Sequence, residues 1–172
     1  MEKIFCMKRA HYKNSDEALK RILSDFFAIK NAQILRTENG KPYLADSSLF
    51  FSVSHTHDML FIAFSSANVG LDAENLSRNV DFAPIVKKFT ETEQKSIRSK
   101  KDFLKNFTAK ESAVKFLGGK LACDFKKLEF LQGKIFYQNS TIPAFVQFLE
   151  TNGYLLTVVS EKDFSNAIIL HI

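Results

Sequence analysis

Two acidic residues, Asp72 and Glu74, stand two positions apart in a segment, Asn68 to Glu74, that has the composition of a short strand. Side chains at positions i and i+2 of a strand point to the same face of the sheet. Two carboxylates on one face repel each other unless a cation lies between them, and Mg²⁺ takes one or two carboxylates together with phosphate oxygens and water. The pair therefore indicates either a solvated strand edge, the commoner case for an isolated Asp-x-Glu, or a site for a hard metal ion.

A second group of chemically useful residues lies on a predicted helix. Phe107, Glu111 and Lys115 are spaced four residues apart, so they share one face of that helix. The plain interpretation is a surface Glu–Lys pair worth a few tenths of a kcal/mol. The functional interpretation is a third carboxylate beside a lysine that binds phosphate.

Histidines and a lysine mark two predicted turns. Ser54, His55 and His57 lie at a hairpin, and Lys41 lies in a Gly-Lys-Pro segment. Two histidines at i and i+2 can ligate a transition metal, but no cysteine or third histidine stands near them in the sequence, so a zinc site is disfavoured. A histidine beside a turn is more often a hydrogen-bond donor, here to an anion, and Lys41 fits either a surface lysine or a phosphate ligand. Other basic residues are scattered without interleaved aromatics, which is weak support for nucleic-acid binding: Lys8, Arg9, Lys13, Lys20, Arg21, Lys87 and Lys88.

The composition is that of an ordinary globular protein. The chain has 172 residues, 45% hydrophobic and 25% charged, with 18 Phe and no Trp. At roughly 150 residues per domain, this length predicts one domain or two small halves that share a core. Six Gly and three Pro exclude collagen-like and Pro-rich disordered chains. The net charge of +5 favours an anionic partner: nucleic acid, a phosphorylated small molecule or an acidic protein.

The sequence favours neither a membrane nor an oxidising compartment. No apolar run approaches the roughly 18 residues that span a bilayer, and Met1 to Ala10 is too short and too mixed for a signal peptide. Cys6 and Cys123 lie far apart and form no Cys-x-x-Cys motif. A reduced, cytoplasmic location is the expectation.

The elements around these residues alternate in type, with helix followed by strands twice over. Asn14 with Glu17 predicts a capped helix from Asp16 to about Lys30, and Thr90 with Glu93 predicts another capped start. A helix from Asp102 ends at Gly118-Gly119. Strands are predicted at Lys3 to Lys8, Leu49 to Ser54, Met59 to Ser65, Asn68 to Glu74, Lys127 to Leu131, Lys134 to Tyr137, Tyr154 to Ser160 and Ala167 to Ile172, with Phe145 to Leu149 left ambiguous. The order predicts an α+β fold built from two similar halves, residues 1–67 and 68–172.

Four blocks of sequence, taken in order, resemble the 4′-phosphopantetheinyl transferase superfamily. The blocks are Gly40-Lys41-Pro42, then FSVSHT from Phe51, then VGLDAE from Val69, and then FTAKESAVK from Phe107 with the following GGKL. The family pattern reads GKP, then F-N-[IV]-S-H-[ST], then [VI]-G-[IV]-D-[IV]-E, then W-x-x-K-E-[SA]-x-x-K-x-x-G-x-G-[LF]. The match runs from residue 40 to residue 121. Within the superfamily the chain looks like the surfactin-synthetase-activator type, in which two pseudo-repeats are fused.

The resemblance implies transfer of the phosphopantetheine arm of coenzyme A to a serine of an acidic apo acyl or peptidyl carrier protein. The reaction depends on Mg²⁺ and releases adenosine 3′,5′-bisphosphate. By position, Asp72, Glu74 and Glu111 correspond to the Mg²⁺ ligands, Glu111 is the candidate base, and Lys115 contacts the pyrophosphate. The other expected contacts to coenzyme A are His55 and Ser54 at a phosphate, Lys41 at the 3′-phosphate, and Lys110 as an additional phosphate contact.

The resemblance also implies a monomer with one site between the two pseudo-repeats. Four positions depart from the family pattern: Phe107 replaces Trp, Ala73 a β-branched residue, Ser52 an Asn, and Lys120 a glycine.

Two functions other than transfer are also consistent with the sequence. A protein that binds coenzyme A or a related nucleotide without turnover would bind with Mg²⁺ and modify nothing, whereas a basic nucleic-acid-binding module would show steep salt dependence. Retention of all three carboxylates argues against both alternatives, since a pure anion binder gains nothing from them.

Overall fold

The structure is a computed structural model that describes residues 2–45, 47–79, 81–120 and 124–172. The described residues up to 67 contain one α-helix and five strands: β1 (Lys3–Lys8), α1 (Ser15–Phe27), β2 (Ile34–Arg36), β3 (Pro42–Leu44), β4 (Phe50–His55) and β5 (Met59–Ser65). Then follow β6 (Val69–Asn75), α2 (Ala83–Val86), α3 (Glu91–Ser96) and α4 (Lys100–Leu117). The last strands are β7 (Leu128–Leu131), β8 (Lys134–Tyr137), β9 (Ser140–Thr141), β10 (Phe145–Thr151), β11 (Tyr154–Ser160) and β12 (Ile168–His171). The α+β class predicted from the sequence is confirmed.

The helix boundaries follow from local capping chemistry. Asn14 accepts a hydrogen bond from the Glu17 amide at 2.9 Å and opens α1, which ends at Phe27, earlier than predicted, because Ala28 adopts a left-handed conformation (φ 57°). Thr90 and Glu93 form the predicted capping box of α3. Gly118 ends α4, also in the left-handed conformation, where glycine carries no steric cost.

Two sheets form the core, with one long helix on each outer face. The first sheet has the strand order β12-β1-β5-β4 and the second the order β10-β11-β6. Alternate side chains of β1 and β5 pack in opposite directions: Phe5 and Ile62 meet α1, whereas Ile4 and Phe61 meet β6 and β11. Helix α4 covers the other face of the second sheet.

The last strand returns to the first sheet. β12 pairs in parallel with β1, with Lys3 opposite Ile168 and Cys6 opposite His171. The expected boundary between the pseudo-repeats lies at residue 67. The first sheet nevertheless takes one strand, β12, from the second of these halves.

None of the helices in the described ranges is both long and apolar enough to cross a bilayer.

Candidate active site

The site begins with the face of β6 that looks toward α4. Val69, Leu71 and Ala73 pack into the core between the two sheets, so Asp72 and Glu74 project the other way. Helix α4 can approach this face because residue 70 is a glycine. A Cβ there would lie 2.0 Å from the carbonyl oxygen of Ser112 and 2.6 Å from the amide nitrogen of Phe116.

Asp72 is buried and held by two donors. Its Oδ1 accepts from Lys115 Nζ at 2.8 Å and from Ser54 Oγ at 2.9 Å. Lys115 Nζ also donates to the carbonyl oxygen of Leu71 at 2.9 Å, and Ser54 Oγ accepts from the Ala73 amide at 3.1 Å. The structure therefore brings Asp72 and Lys115 together, while Ser54, expected beside a phosphate, uses its hydroxyl to orient the carboxylate.

The negative charge of Asp72 acts on both Glu111 and Glu74. Burial, with a further contribution from Asp72, raises the pKa of Glu111 to about 8, against the opposing effect of Lys115. Burial and Asp72 also raise the pKa of Glu74, although Arg78, whose Nη1 lies 3.4 Å from Glu74 Oε2, lowers it. The three carboxylates and Lys115 thus form one electrostatic cluster in which negative charge is under-compensated.

The donor chemistry of this cluster suits a hard cation. Carboxylate oxygens are the ligands that Mg²⁺ takes from proteins, and an added cation would lower the pKa of Glu111, which burial and the charge of Asp72 raise. Within the described ranges, no three His, Cys, Asp or Glu side chains converge tightly enough to form a metal site as they stand. The positive charge that lies against Asp72 in this structure is the ammonium of Lys115, 2.8 Å away.

A cleft of about 590 Å³ opens beside the cluster. Its lining combines cationic and acidic side chains from both sides of residue 67, including Arg9, His55, His57, Asp58, Glu74 and Arg78. Burial lowers the pKa of His55, and the charges of Arg9 and Lys115 lower it further against Asp72. His55 is therefore neutral at pH 7 without an anion, and a phosphate in the cleft would favour its charged form.

Sequence reasoning missed two cations of this cleft. Arg9 was one of many scattered basic residues, and only the fold brings it beside His55. Arg78 follows β6 and reaches back to Glu74. The one local signal was the spacing of four residues between Glu74 and Arg78, which is uninformative outside a helix.

Lys41 lies in a different cavity, of about 230 Å³, which it shares with Lys115 and Gly118. Its Nζ is surrounded by oxygens: Asn68 Oδ1 at 3.0 Å and the carbonyl oxygens of Val69 and Phe116 at 3.3 and 3.4 Å. Burial lowers the pKa of Lys41 to about 8. The structure therefore does not bring Lys41 to the cleft of His55.

Lys110 is not a surface cation. Its side chain is fully buried and its Nζ donates to Glu93 Oε2 at 2.8 Å, so it offers no ammonium to a phosphate in the cleft. The resemblance implied a phosphate contact for Lys110, but the structure turns this side chain away from the cleft, because adjacent residues on a helix point about 100° apart. With Glu111 turned toward β6, Lys110 points toward α3.

An apolar groove of about 130 Å³ adjoins the cleft at Glu74 and Arg78. Its walls include Phe82, Ile85, Phe103, Leu104 and Phe107. Phe107, which stands where the family pattern has Trp, stacks on Phe103 with ring centroids 5.6 Å apart.

Lys120 is another residue that departs from the family pattern. Its backbone N–H donates to Asp124 Oδ2 at 2.9 Å. Leu121, the last residue of the GGKL segment, and Cys123 lie outside the described residues.

Comparison with known proteins relates the sequence to one superfamily. The family model of the 4′-phosphopantetheinyl transferase superfamily matches residues 68–159. The chain is similar to 4′-phosphopantetheinyl transferase gsp of Aneurinibacillus migulanus, with 31% identity over 108 residues, or 58% of this chain and 45% of that protein. It is also similar to human L-aminoadipate-semialdehyde dehydrogenase-phosphopantetheinyl transferase, with 36% identity over 118 residues, or 57% of this chain and 38% of that protein. The match spans less than half the length of either relative.

Proposed function

The chain belongs to the 4′-phosphopantetheinyl transferase superfamily, and from that premise we propose that it transfers the phosphopantetheine arm of coenzyme A to a serine of an apo carrier protein. The serine oxygen forms a bond to the phosphorus that carries the arm. The bond from that phosphorus to the bridging oxygen breaks, and adenosine 3′,5′-bisphosphate leaves. The cluster of three carboxylates beside a cleft that Arg9, His55 and Arg78 line is the observation that carries this proposal.

Asp72, Glu74 and Glu111 are the residues that would hold Mg²⁺. The bound ion supplies charge neutralisation at the pyrophosphate of coenzyme A. Ser54 holds Asp72 in place through its hydroxyl. Lys115, bonded to Asp72 and to the backbone of β6, offers its ammonium to the same pyrophosphate.

The first segment of the chain contributes the other phosphate contacts. His55 lies at the cleft, neutral until an anion arrives, with Arg9 beside it. Lys41 borders the second cavity with Lys115, and a 3′-phosphate bound there would replace the oxygen acceptors of its ammonium. That position for the 3′-phosphate rests on the resemblance of the Gly-Lys-Pro segment.

Glu111 is our candidate for the base that receives the proton of the carrier serine. It lies on the rigid helix α4, and its environment raises its pKa to about 8. At that pKa the carboxyl holds its proton at neutral pH. A neighbouring cation lowers the pKa of Glu111 and leaves the carboxylate ionised, which is the form that can accept the serine proton.

The carrier is expected to be acidic and the protein a monomer. The net charge of +5 complements an acidic partner and accelerates encounter with it. His55 and Glu74 lie on opposite sides of the boundary between the two proposed pseudo-repeats, 1–67 and 68–172, yet they line one cleft. One copy of the chain therefore brings both sets of residues together.

Intact-mass spectrometry of a panel of apo carrier proteins tests the proposal. Each carrier is incubated with the protein, coenzyme A and Mg²⁺. We expect one carrier or more to gain the mass of one phosphopantetheine, and we expect Glu111→Ala or a chelator to abolish the gain. Glu150→Ala, which removes an exposed carboxylate that pairs with Lys101, is the matched control and should transfer normally.

Two outcomes would contradict the proposal. Binding of coenzyme A with Mg²⁺ but no gain on any carrier would favour a binding protein without turnover. Transfer that continues unchanged in Glu111→Ala would remove the carboxylate cluster from the mechanism.

A further inference from the structure

A second charged pair lies inside the molecule, on the side of α4 away from the carboxylates. Glu93 of α3 and Lys110 of α4 have fully buried side chains, and Lys110 Nζ lies 2.8 Å from Glu93 Oε2. The ammonium also lies over two aromatic rings, 4.8 Å from the centroid of Phe89 and 4.5 Å from that of Phe125. Nothing in the proposed reaction uses this pair directly.

Glu93 joins three elements. Its Oε2 also accepts from the Thr90 amide at 3.0 Å, which caps α3. Its Oε1 accepts from the Phe130 amide of β7 at 2.9 Å. With Lys110 as its third donor, the one carboxylate ties the start of α3 to β7 and to α4, and both of its oxygens are occupied.

Such a pair is a poor source of net stability but a good source of geometric precision. The desolvation of two buried charges offsets most of their attraction, and an apolar pair of similar volume often does as well. Helix α4 has particular need of directional contacts, because its buried residues lie on every side, Leu104, Thr108, Lys110 and Ala113 among them. An apolar pattern spread around a helix specifies its rotation only weakly.

We propose that the Glu93–Lys110 ion pair is a positioning device, which fixes α3 against α4 and sets the rotation of α4 so that Glu111 and Lys115 meet Asp72. Lys110 and Glu111 are adjacent and point about 100° apart, so the anchor on one side of the helix determines where the next residue points on the other. Bonds from Ser112 and Thr108 to Thr157 hold α4 to β11, and Glu93 holds it from the opposite side. This inference rests on the proposed function for its catalytic consequence, but not for its structural one.

The double variant Glu93→Gln/Lys110→Met tests the inference, because it removes both charges and leaves no buried ion without a partner. We expect it to fold, and to bind Mn²⁺ about tenfold or more weakly by electron paramagnetic resonance, the loss typical when a residue that supports a metal ligand is removed. We expect kcat to fall while the KM for coenzyme A changes little. Backbone amides of residues 91–97 and 108–116 should exchange hydrogen faster than in the wild-type chain.

Lys101→Met/Glu150→Gln is the matched control. It removes an ion pair that is also 2.8 Å long and also involves α4, but whose side chains are 57% and 49% exposed. It should leave Mn²⁺ affinity, kcat and exchange unchanged. Glu93→Asp is a milder variant that keeps the charges and shortens the carboxylate arm, and it should fold and show a smaller loss in the same three measurements.

The outcomes separate the two proposals. If Glu93→Gln/Lys110→Met exchanges the amides of residues 91–97 and 108–116 as slowly as the wild type, the positioning inference is overturned. Should the double variant fail to fold, the same result in Glu93→Asp would overturn it. If wild-type protein neither binds Mn²⁺ nor transfers phosphopantetheine, the proposed function fails, and faster exchange in the variant would still support the structural role of the pair.

Discussion

Glu111 illustrates how strongly the surroundings of a single residue determine its chemistry. Its spacing from Lys115 is that of an ordinary surface pair, but in the fold Lys115 bonds to Asp72 instead. Glu111 is largely buried beside two other carboxylates, and burial, with the charge of Asp72, raises its pKa to about 8. A residue that the sequence could explain as a solvated carboxylate is thus a carboxyl group whose surroundings favour the protonated form at neutral pH.

This shift predicts that the metal-free protein loses stability between mildly acidic and alkaline pH. Folded Glu111 keeps its proton up to about pH 8, whereas the unfolded chain releases it near its ordinary value of 4.5. The folded state therefore binds more protons between these values, so the stabilisation is complete below about pH 4.5 and is lost as the pH rises through about 8. We expect this group to contribute on the order of 2–4 kcal/mol after allowance for its partial exposure.

Urea unfolding at pH 5 and pH 8, in wild type and in Glu111→Gln, measures this contribution. The glutamine cannot ionise, so the variant should lose less stability over this range and be the more stable protein at pH 8. Equal pH dependence in both proteins would contradict the assignment.

Two serines of β4 allow a sharper test at the scale of single residues. Ser52 Oγ accepts from the Leu71 amide at 2.9 Å, and Ser54 Oγ accepts from the Ala73 amide at 3.1 Å. Only Ser54 also donates to Asp72. We expect Ser52→Ala to lower stability by about 1 kcal/mol and Ser54→Ala by roughly 2–3 kcal/mol, because the latter also loses a bond to a charged carboxylate. We expect Ser54→Ala alone to lower kcat/KM by about tenfold. Equal kinetic losses in steady-state assays would show that the hydroxyl of Ser54 has no special role.

At the scale of elements, the packing of α4 on β6 decides whether the site exists. The approach of the two elements is set by Gly70, whose missing side chain leaves room for the backbone of Ser112 and Phe116. Each element carries half of the cluster, with Asp72 and Glu74 on β6 and Glu111 and Lys115 on α4. A small separation of the two would weaken every contact between them.

Gly70→Ala should therefore be disproportionately damaging. Its Cβ would lie 2.0 Å from a backbone oxygen that has no rotamer to move into, so we expect a loss of about 1–3 kcal/mol from forced backbone shifts together with loss of transfer. Gly153→Ala is the control, because Gly153 has a positive φ of 82° but nothing within 4 Å of the added Cβ. Thermal unfolding and intact-mass assays of the two variants would contradict this view if Gly153→Ala lost as much transfer activity.

Many of the helices and strands could be predicted from the sequence. Period-2 and helical patterns, together with the capping residues Asn14 and Thr90, predicted the hairpin of β4 and β5, and α1, α3 and α4. The i, i+2 rule placed Asp72 and Glu74 on one face. The strands β2 and β3 were missed because three residues are too few to show an alternation of apolar and polar side chains. The strand β10 was ambiguous because most of its side chains are half-buried, so its two faces differ little.

Long-range contacts explain what could not be predicted. The position of Arg9 beside His55 depends on how the first turn after β1 meets the β4–β5 hairpin, where the Arg9 amide donates to the carbonyl oxygen of Asp58 at 2.8 Å. Lys41, expected at the 3′-phosphate of coenzyme A, extends its side chain to the end of α4, where its ammonium donates to the carbonyl oxygen of Phe116. No local pattern encodes either contact.

At the scale of the molecule, a hydrogen bond links the turn of the hairpin that carries His55 to the second sheet. Tyr154 of β11 donates its hydroxyl to Asp58 Oδ2 at 2.6 Å, across 96 residues of sequence. Asp58 lines the cleft. The ring of Tyr154 packs on Phe61 with centroids 5.2 Å apart, so removal of the hydroxyl alone should leave the packing intact.

Tyr154→Phe should loosen this hairpin. We expect a stability loss of about 1–2 kcal/mol, as for a hydrogen bond to a charged group, and a rise in the KM for coenzyme A, because His55 becomes less well placed for a phosphate. Tyr137→Phe is the control: its hydroxyl donates to Asp124 at 3.3 Å, within residues 124–172 and away from the cleft. A KM that moves equally in both variants would contradict the role assigned to the Asp58–Tyr154 bond.

The parallel pairing of β12 with β1 has a consequence for how the protein is made. During synthesis β1 leaves the ribosome well before its partner on that side, which starts at Ile168. One hydrogen-bonding edge of β1 thus stays open while the intervening residues are made, although β5 can already cover the other edge. Contacts this distant in sequence slow folding, and open strand edges invite pairing with other chains. The nascent chain should therefore depend on chaperones until β12 is released.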